Sequence, residues 1–331
     1  MGIRSVSRRE ALRWFAGAVG VALAQGCAAH RPTEPQETRM QPLRINNEFA
    51  TLRAAIVHDA SNAVTFTPED FRKKKAERPE EFAKHPEAGP SSKDRLIEQH
   101  TRFRQLLFEH GVTMLQPQTQ KGAYCQVFAR DPCFVVGDTL FIGRLRDEYR
   151  HGETTGLDAL RTRVARVVDL SGDGVTIEGG DVMVLEGGSR VLVGMNEHTN
   201  AGGLAKLRET LAPSGVEVVP VPHKALHLDC CLAPLPNREA LYAAGKLPKE
   251  SVRALDKFFD RLMPLDPDEA ALHLAANVFW LNERKVVSGV VAMKTNELLR
   301  KKDFEVVELD FSDLVSLWGS FRCTVCPLER V

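Results

Sequence analysis

The sequence has no excess of charge of either sign, because its 331 residues include 44 lysines and arginines and 44 aspartates and glutamates. Proteins that bind nucleic acids use a broad basic field to attract phosphates, and a balanced chain does not supply one. We therefore expect no nucleic-acid partner. A small molecule bound at a local site is the expected partner instead.

The sequence also lacks an apolar run of the roughly 20 residues that a membrane-spanning helix needs. Its N-terminal apolar segment, Trp14 to Ala24, is short and follows Ser7-Arg8-Arg9-Glu10-Ala11-Leu12. An arginine pair followed by a short run of small apolar residues resembles a twin-arginine export signal. We predict that residues 1–42 form this signal and a polar tether, and that residues 43–331 form a single catalytic domain.

This leader predicts an exported protein, located in the periplasm or associated with the cell envelope. Gly26-Cys27 resembles the end of a lipoprotein cleavage box, although Gln25 fits that box poorly. Cleavage and a membrane tether through a lipidated Cys27 are therefore alternative interpretations.

The cysteines do not form the pattern of a disulfide-stapled domain. Of the seven cysteines, one lies in the leader and two are adjacent at Cys230-Cys231. A chain of this size can bury a sufficient hydrophobic core without disulfide bonds. Cys323-x-x-Cys326 is a single pair, so a zinc site made with His227 and Asp229 is a weak hypothesis. We predict no metal and no other cofactor.

The mature part lacks a strong internal repeat and alternates β-branched runs with helical patterns, which predicts an α/β or α+β class. The Lys-, Glu- and Pro-rich segment from Thr67 to Pro90 predicts an exposed loop or lid. Strands are predicted at Leu52–Val57, Phe134–Ile142, Val182–Leu185, Val191–Val193, Val216–Val221, Lys285–Val291 and Phe304–Leu309. Helices are predicted at Ser92–His110, Ala201–Leu211, Glu250–Met263 and Asn296–Lys301.

Acidic residues lie beside the apolar runs at two places. Asp131, in Arg130-Asp131-Pro132, precedes an apolar run and on its own is typical of a turn cap. Glu178-Gly179-Gly180-Asp181 places two carboxylates between apolar segments. Carboxylates beside buried strands need either backbone donors or a bound cation.

Two further segments carry groups for proton transfer and nucleophilic attack. In an extended His227-Leu228-Asp229, the imidazole and the carboxylate would share one face of the strand. Cys323 follows Arg322, whose charge favours a thiolate, although a buried inert thiol is the alternative. A thiol, an imidazole and several carboxylates are what an enzyme needs to hold a guanidinium and attack its carbon.

In their order along the chain, these segments resemble the guanidino-group modifying enzyme superfamily. It includes arginine deiminases, dimethylarginine dimethylaminohydrolases and amidinotransferases. The resemblance runs from about Leu43 to the C-terminus, with its most telling part from Ile177 to Leu235 and a nucleophile-like motif from Arg322 to Leu328. It implies an α/β fold, a five-bladed pentein-type propeller of ββαβ units with pseudo-fivefold symmetry.

The resemblance also implies the catalytic roles. Matching positions give Cys323 as nucleophile, His227 as general acid and base, and Glu178 as the carboxylate that partners the imidazole or binds the guanidinium. Asp131 and Asp229 would bind the guanidinium, and Asp181 would support the turn or the channel. The remaining substrate-binding candidates are Arg130, Arg150 and His198.

The sequence departs from the family where amino-acid substrates are held. His198, in Asn196–Thr199, stands where relatives carry an arginine for the substrate carboxylate, and Trp318 stands where deiminases carry another. We therefore expect a substrate other than free arginine.

The implied reaction is hydrolysis of a guanidino compound through an amidino-cysteine intermediate. An amidinotransferase, in which an amine replaces water, is the alternative, and a non-catalytic guanidine-binding protein is the weaker one. The family pattern allows a monomer or a homodimer.

Overall fold

The computed structural model describes residues 41–331. The predicted export signal and Cys27 lie outside the described residues, as does all of the predicted tether except residues 41 and 42. No helix within residues 41–331 is both long enough and apolar enough to cross a membrane.

The sheets of the described chain repeat one pattern. Each has three strands, and its middle strand runs antiparallel to one neighbour and parallel to the other. The sheets are β15 (Cys326–Arg330) with β1 (Leu52–Ile56) and β2 (Thr113–Leu115); β3 (Cys133–Val136), β4 (Thr139–Ile142) and β5 (Val167–Asp169); β6 (Val182–Leu185), β7 (Arg190–Met195) and β8 (Glu217–Pro222); β9 (Leu232–Leu235), β10 (Glu239–Tyr242) and β11 (Arg261–Pro264); and β12 (Phe279–Asn282), β13 (Lys285–Gly289) and β14 (Glu305–Leu309).

Helices connect the parallel strands of each sheet, because a parallel pair needs a crossover whereas an antiparallel pair needs only a tight turn. The order strand, strand, helix, strand therefore recurs along the chain, which confirms the predicted α/β class. The helices are α1 (Pro68–Glu77), α2 (Pro79–Lys84), α3 (Lys93–Glu109), α4 (Gly152–Thr155), α5 (Asp158–Arg161), α6 (Ala201–Leu211), α7 (Lys249–Leu255), α8 (Pro267–Leu272), α9 (Met293–Arg300) and α10 (Ser312–Val315).

The last strand of the chain completes the first sheet. β15 pairs antiparallel with β1, with Ala55 opposite Pro327 and Ile56 opposite Cys326. The segment just before β15 is thereby fixed against the start of the domain, and Cys323 lies in that segment.

Aromatic packing secures the same region from inside. Phe103 of α3 is fully buried, and its ring centroid lies 5.8 Å from Phe279, 5.6 Å from Phe311 and 5.3 Å from Phe321. Edge-to-face packing at these distances is favourable beyond the area it buries. Because Phe321 is two residues before Cys323, this cluster holds the loop that carries the predicted nucleophile.

Several sequence predictions are wrong in detail. Phe134–Ile142 is a hairpin, because Gly137 turns the chain with a φ of +58°. The helix predicted over Glu250–Met263 ends at Leu255, and its last part is β11, which pairs with β10. Thr67–Pro90 contains two helices, with Thr67 capping the first and a proline beginning each.

Other strands were not predicted at all, namely β2, β5, β9, β10, β12 and β15. Four of them, β9, β10, β12 and β15, contain no β-branched residue, and β2 and β5 have only three residues each.

Replacing Phe103 with alanine should lower the free energy of unfolding by about 3–5 kcal/mol, because it leaves a cavity among three aromatic rings. Phe108→Ala on the same helix is the matched control, since Phe108 is 67% exposed. It should change stability by less than about 0.5 kcal/mol. Denaturant unfolding monitored by circular dichroism measures both, and equal effects of the two variants would contradict this packing.

Candidate active site

An open cleft of about 730 Å³ gathers many of the predicted site residues. It is lined by the predicted residues Asp131, Arg150, His198, His227 and Cys323. Positions separated by nearly two hundred residues thus meet at one surface, and this surface is the candidate active site.

The site residues share one structural position. Asp131 lies two residues before the start of β3, Glu178 precedes the turn into β6, His227 precedes the turn into β9, and Cys323 precedes β15. Asn277, which the sequence analysis missed, precedes β12 in the same way. We call these five segments the leading loops, because each leads into the outer strand that is antiparallel to the middle strand of its sheet.

Glu178 binds two imidazoles at once. His227 Nε2 lies 2.7 Å from Glu178 Oε2, and His198 Nδ1 lies 3.1 Å from Oε1. The backbone N–H of Arg146 donates to Oε1 at 2.9 Å, and the Glu178 N–H donates to the Thr199 hydroxyl at 3.1 Å. The carboxylate is buried behind His227, so it orients the imidazole from the side away from the cleft.

These contacts set the protonation of the pair. Burial opposes ionisation of both groups, yet the His198 and His227 hydrogen bonds hold the pKa of Glu178 well below its usual value. Burial likewise disfavours the imidazolium, but the Asp131 and Glu178 carboxylates raise the pKa of His227 well above its ordinary value. His227 is therefore held as an imidazolium, which can give a proton to a leaving group.

Asp131 has one carboxylate oxygen occupied and one free. Arg150 Nη2 donates to Asp131 Oδ2 at 2.9 Å, and Arg150 also donates to Glu153. Asp131 Oδ1 has no hydrogen-bond partner among the described residues, and His227 Nδ1 is 3.6 Å away from it. Burial raises the pKa of Asp131, and the His227 and Arg150 charges oppose that rise.

The Cys323 thiol has polar neighbours on its inner side. Asn277 Nδ2 donates to Cys323 Sγ at 3.2 Å, and both Asp229 carboxylate oxygens lie 3.9 Å from Sγ. Asn277 Oδ1 accepts from the backbone N–H groups of Arg322 and Cys323 at 2.9 and 3.3 Å. The strand that begins two residues after Asn277, β12, was not predicted, so no sequence signal marked Asn277 as a leading-loop residue.

Asp229 does not share a face with His227, contrary to the prediction for an extended segment. Leu228–Cys230 form a 3₁₀ turn, which directs His227 to the cleft and Asp229 behind Cys323. There, Asp229 accepts from Arg322 Nη1 at 2.9 Å and is fully buried. Its carboxylate lies 3.5 Å from the Cys230 thiol and 3.9 Å from the Cys323 thiol, and it does not line the cleft.

Arg130 and Asp181 also lie outside the cleft lining. Asp181 accepts from the Leu228 N–H at 2.8 Å and from the Thr199 hydroxyl at 2.6 Å, and it pairs with His223 at 2.9 Å. These are the contacts of a residue that supports the turns under Glu178 and His227. Arg130 is buried beside Glu48 and Arg322, where its backbone N–H donates to the Cys323 carbonyl at 3.0 Å.

Glycine is required where two leading loops meet. A Cβ on Gly180 would lie 2.7 Å from His227 Cγ, so any side chain there would displace the imidazole. The Glu-Gly-Gly-Asp sequence thereby lets the His227 ring pack directly against backbone.

Two groups of three side chains have ligand atoms within 4.8 Å of one another: Glu178 with His198 and His227, and Asp229 with Cys230 and Cys323. Hydrogen bonds within the protein already engage the first group. The zinc hypothesis joined Cys323, Cys326, His227 and Asp229, and these four do not form such a group in the described part of the chain.

Comparison with known proteins agrees with this geometry. The chain is 30% identical over 236 residues to the N(G),N(G)-dimethylarginine dimethylaminohydrolase of Streptomyces coelicolor, covering 71% of this chain and 86% of that protein. It is 29% identical over 237 residues to the uncharacterized protein YkgA of Bacillus subtilis, covering 70% and 80% of the two chains.

Solved structures share the fold at lower identity. A dimethylarginine dimethylaminohydrolase from Pseudomonas aeruginosa, solved as a cysteine-to-serine variant with citrulline, matches with a TM-score of 0.68 at 22% identity, covering 84% and 99% of the chains. SxtG, an amidinotransferase from Microseira wollei in the saxitoxin biosynthetic pathway, matches with a TM-score of 0.73 at 16% identity, covering 88% and 98%.

These likenesses agree with the family predicted from the sequence. The family described as N,N dimethylarginine dimethylhydrolase, eukaryotic, matches residues 67–330, and the chain therefore belongs to this family within the guanidino-group modifying superfamily.

Proposed function

We propose that this protein is a cysteine-dependent hydrolase of a guanidino compound, acting through an amidino-cysteine intermediate. The observation that carries the proposal is that Cys323, His227 and Asp131 line one cleft while Glu178 binds the imidazole from behind. A guanidinium is a poor electrophile, so it has to be held by an acid and attacked by a thiolate.

Substrate capture is assigned to Asp131. Its Oδ1 is a buried acceptor without a partner among residues 41–331, at the wall of the cleft. A guanidinium N–H would supply the missing donor. Arg150 holds the other oxygen and so fixes the direction in which Oδ1 points.

The chemistry then runs in two halves. In the first, the Cys323 thiolate attacks the guanidino carbon, the C–N bond breaks, and the leaving amine takes a proton from the His227 imidazolium. In the second, water attacks the carbon of the cationic amidino group and gives one proton to neutral His227, and the C–S bond breaks to return the thiolate while the second water proton passes to solvent. The product is a urea derivative, and Glu178 stabilises the imidazolium in both halves.

An amidinotransferase is the second candidate. An amine could replace water in the second half without any change in Cys323, His227 or Glu178, and the cleft is open enough to admit an acceptor. A binding protein without catalysis is the weaker candidate, since capture of a cation needs neither a thiol nor an imidazole.

The remaining predictions from the sequence stand as part of the proposal. We propose that the five sheets surround a pseudo-fivefold axis as a pentein propeller, and that the protein acts as a monomer or homodimer. We also propose export to the periplasm or cell envelope, with residues 1–42 as the signal and tether.

Incubation with a panel of guanidines, with and without amine acceptors, should give urea products without an acceptor. Cys323→Ser should abolish them, whereas Cys326→Ser, the matched control, should retain most of the activity because Cys326 is fully buried in β15 and does not line the cleft. Mass spectrometry of the products measures the activity of the wild-type protein and of the two variants. Amidino products that form only with an acceptor would favour the transferase, and turnover by Cys323→Ser would contradict the nucleophile.

Glu178→Gln should move the alkaline limb of the pH profile of kcat/KM to lower pH. The carboxylate raises the pKa of His227, so its removal lets the imidazolium lose its proton at a lower pH. Glu197→Gln is the control, because Glu197 also lines the cleft but its side chain is 52% exposed and pairs with Arg146. An unshifted limb in Glu178→Gln would contradict the assigned pair.

A further inference from the structure

A second cavity of about 400 Å³ opens from the candidate active site. Phe128, Tyr149 and Trp318 line both the cleft and this cavity, so the two spaces adjoin at these side chains. The rest of its wall is mainly apolar and includes Val64, Phe66, Phe82, Tyr124 and Val127, with the charged side chains of Lys74, Arg78 and Glu81 beside them. A volume of this size is typical of small-molecule sites.

The wall of this cavity is held in a strained conformation. Trp318 has a φ of +74°, which is an outlier for a bulky residue. Its indole stacks on His85 at 4.6 Å and meets the edge of Phe82 at 5.7 Å. The next residue, Gly319, packs so closely on Phe128 that a Cβ would lie 2.3 Å from that ring. Such strain persists only where the surroundings fix it, and it is common at ligand sites.

The cleft offers little to hold a substrate carboxylate. Its described lining has six acidic side chains against four basic ones. All four basic side chains have a carboxylate near: Arg78 with Glu81 at 3.4 Å, Lys84 and Arg146 with Glu197 at 3.6 and 3.3 Å, and Arg150 with Asp131 at 2.9 Å.

Two positions hold other residues where the family resemblance leads one to expect arginines, and neither residue is available to bind a carboxylate. His198 binds Glu178, and Trp318 forms the aromatic wall. Within the cleft, an α-carboxylate carried on the substrate would therefore face acidic or already paired side chains and an indole, whereas an uncharged apolar chain would match the apolar part of the cavity wall.

We propose that this cavity binds the tail of the substrate, and that the substrate class is a guanidine substituted with a neutral alkyl or aralkyl chain. This inference rests on the proposed function, because it places the guanidinium at Asp131 and Cys323. From there, the chain passes Phe128 and Trp318 into the cavity. Burial of each added methylene should strengthen binding about fourfold.

The test measures binding separately from turnover. Dissociation constants of butylguanidine, octylguanidine, arginine and N,N-dimethylarginine are determined by calorimetry on the Cys323→Ser protein, in which binding does not depend on reaction. We expect octylguanidine to bind at least tenfold more tightly than butylguanidine and both amino acids. Equal affinity for the two alkylguanidines, or tighter binding of either amino acid than of octylguanidine, overturns the proposal.

A matched pair of variants locates the tail. Val64→Arg, made in the Cys323→Ser protein, places a cation in the cavity wall and should reduce the octyl-over-butyl preference about tenfold while leaving butylguanidine binding unchanged. Val290→Arg is the control, because Val290 is 43% exposed, close to the 44% of Val64, and does not line the cavity. An octyl-over-butyl preference that is as large in Val64→Arg as in the parent protein overturns the proposed location.

Turnover of the wild-type protein separates this inference from the proposed function. Octylguanidine that binds with the predicted preference but gives neither a urea product nor amidino transfer supports the tail site and contradicts the enzyme. Urea products formed with no gain from chain length support the enzyme and overturn the tail site.

Discussion

The buried guanidinium of Arg322 is the constraint on which the site depends. Arg322 donates to Asp229 at 2.9 Å, to Glu48 at 3.1 Å and to the Val182 carbonyl at 2.8 Å. These partners lie before β1, in β6 and in the turn before β9, so one side chain ties three distant segments to the residue beside Cys323. Burial disfavours a charged Glu48, yet Arg322 and Arg130 keep its pKa below the usual value. Loss of one partner in such a group leaves a buried charge uncompensated, at a cost of about 3–5 kcal/mol.

The catalytic electrostatics follow from the same use of buried charge. Glu178 is withdrawn behind His227 and cannot itself reach far into the cleft, whereas Asp131 keeps a free oxygen at the wall. Both carboxylates raise the pKa of His227, but Glu178 binds the imidazole directly, whereas Asp131 Oδ1 has no hydrogen-bond partner among the described residues and is left to accept from a cation. His198 is the second imidazole that binds Glu178. Because of this contact, His198 is not available as a fixed cation for a substrate carboxylate.

The sequence predicts the class of fold and the chemistry of the site better than it predicts the local geometry. Longer elements such as α3 and α6 were foreseen, because their apolar faces repeat over several turns. Asp229 was misplaced because a 3₁₀ turn replaces an extended segment, and Asn277 was missed because the strand after it has only four residues. The contacts of Asp229 and Asn277 with the segment that carries Cys323 join parts of the chain that are far apart in sequence. Local sequence patterns do not predict such contacts.

The central claim is that the leading loops assemble a site in which Cys323 attacks a guanidino carbon. The most direct test is a single-turnover reaction of the protein with a guanidine that it converts to product, quenched with acid and analysed by mass spectrometry. The account predicts a transient mass increase equal to the amidino group, carried by the C-terminal peptide that contains Cys323 and decaying as the product appears. Product that forms slowly enough for the acid quench to sample the reaction, with no adduct on that peptide at any time, would contradict it.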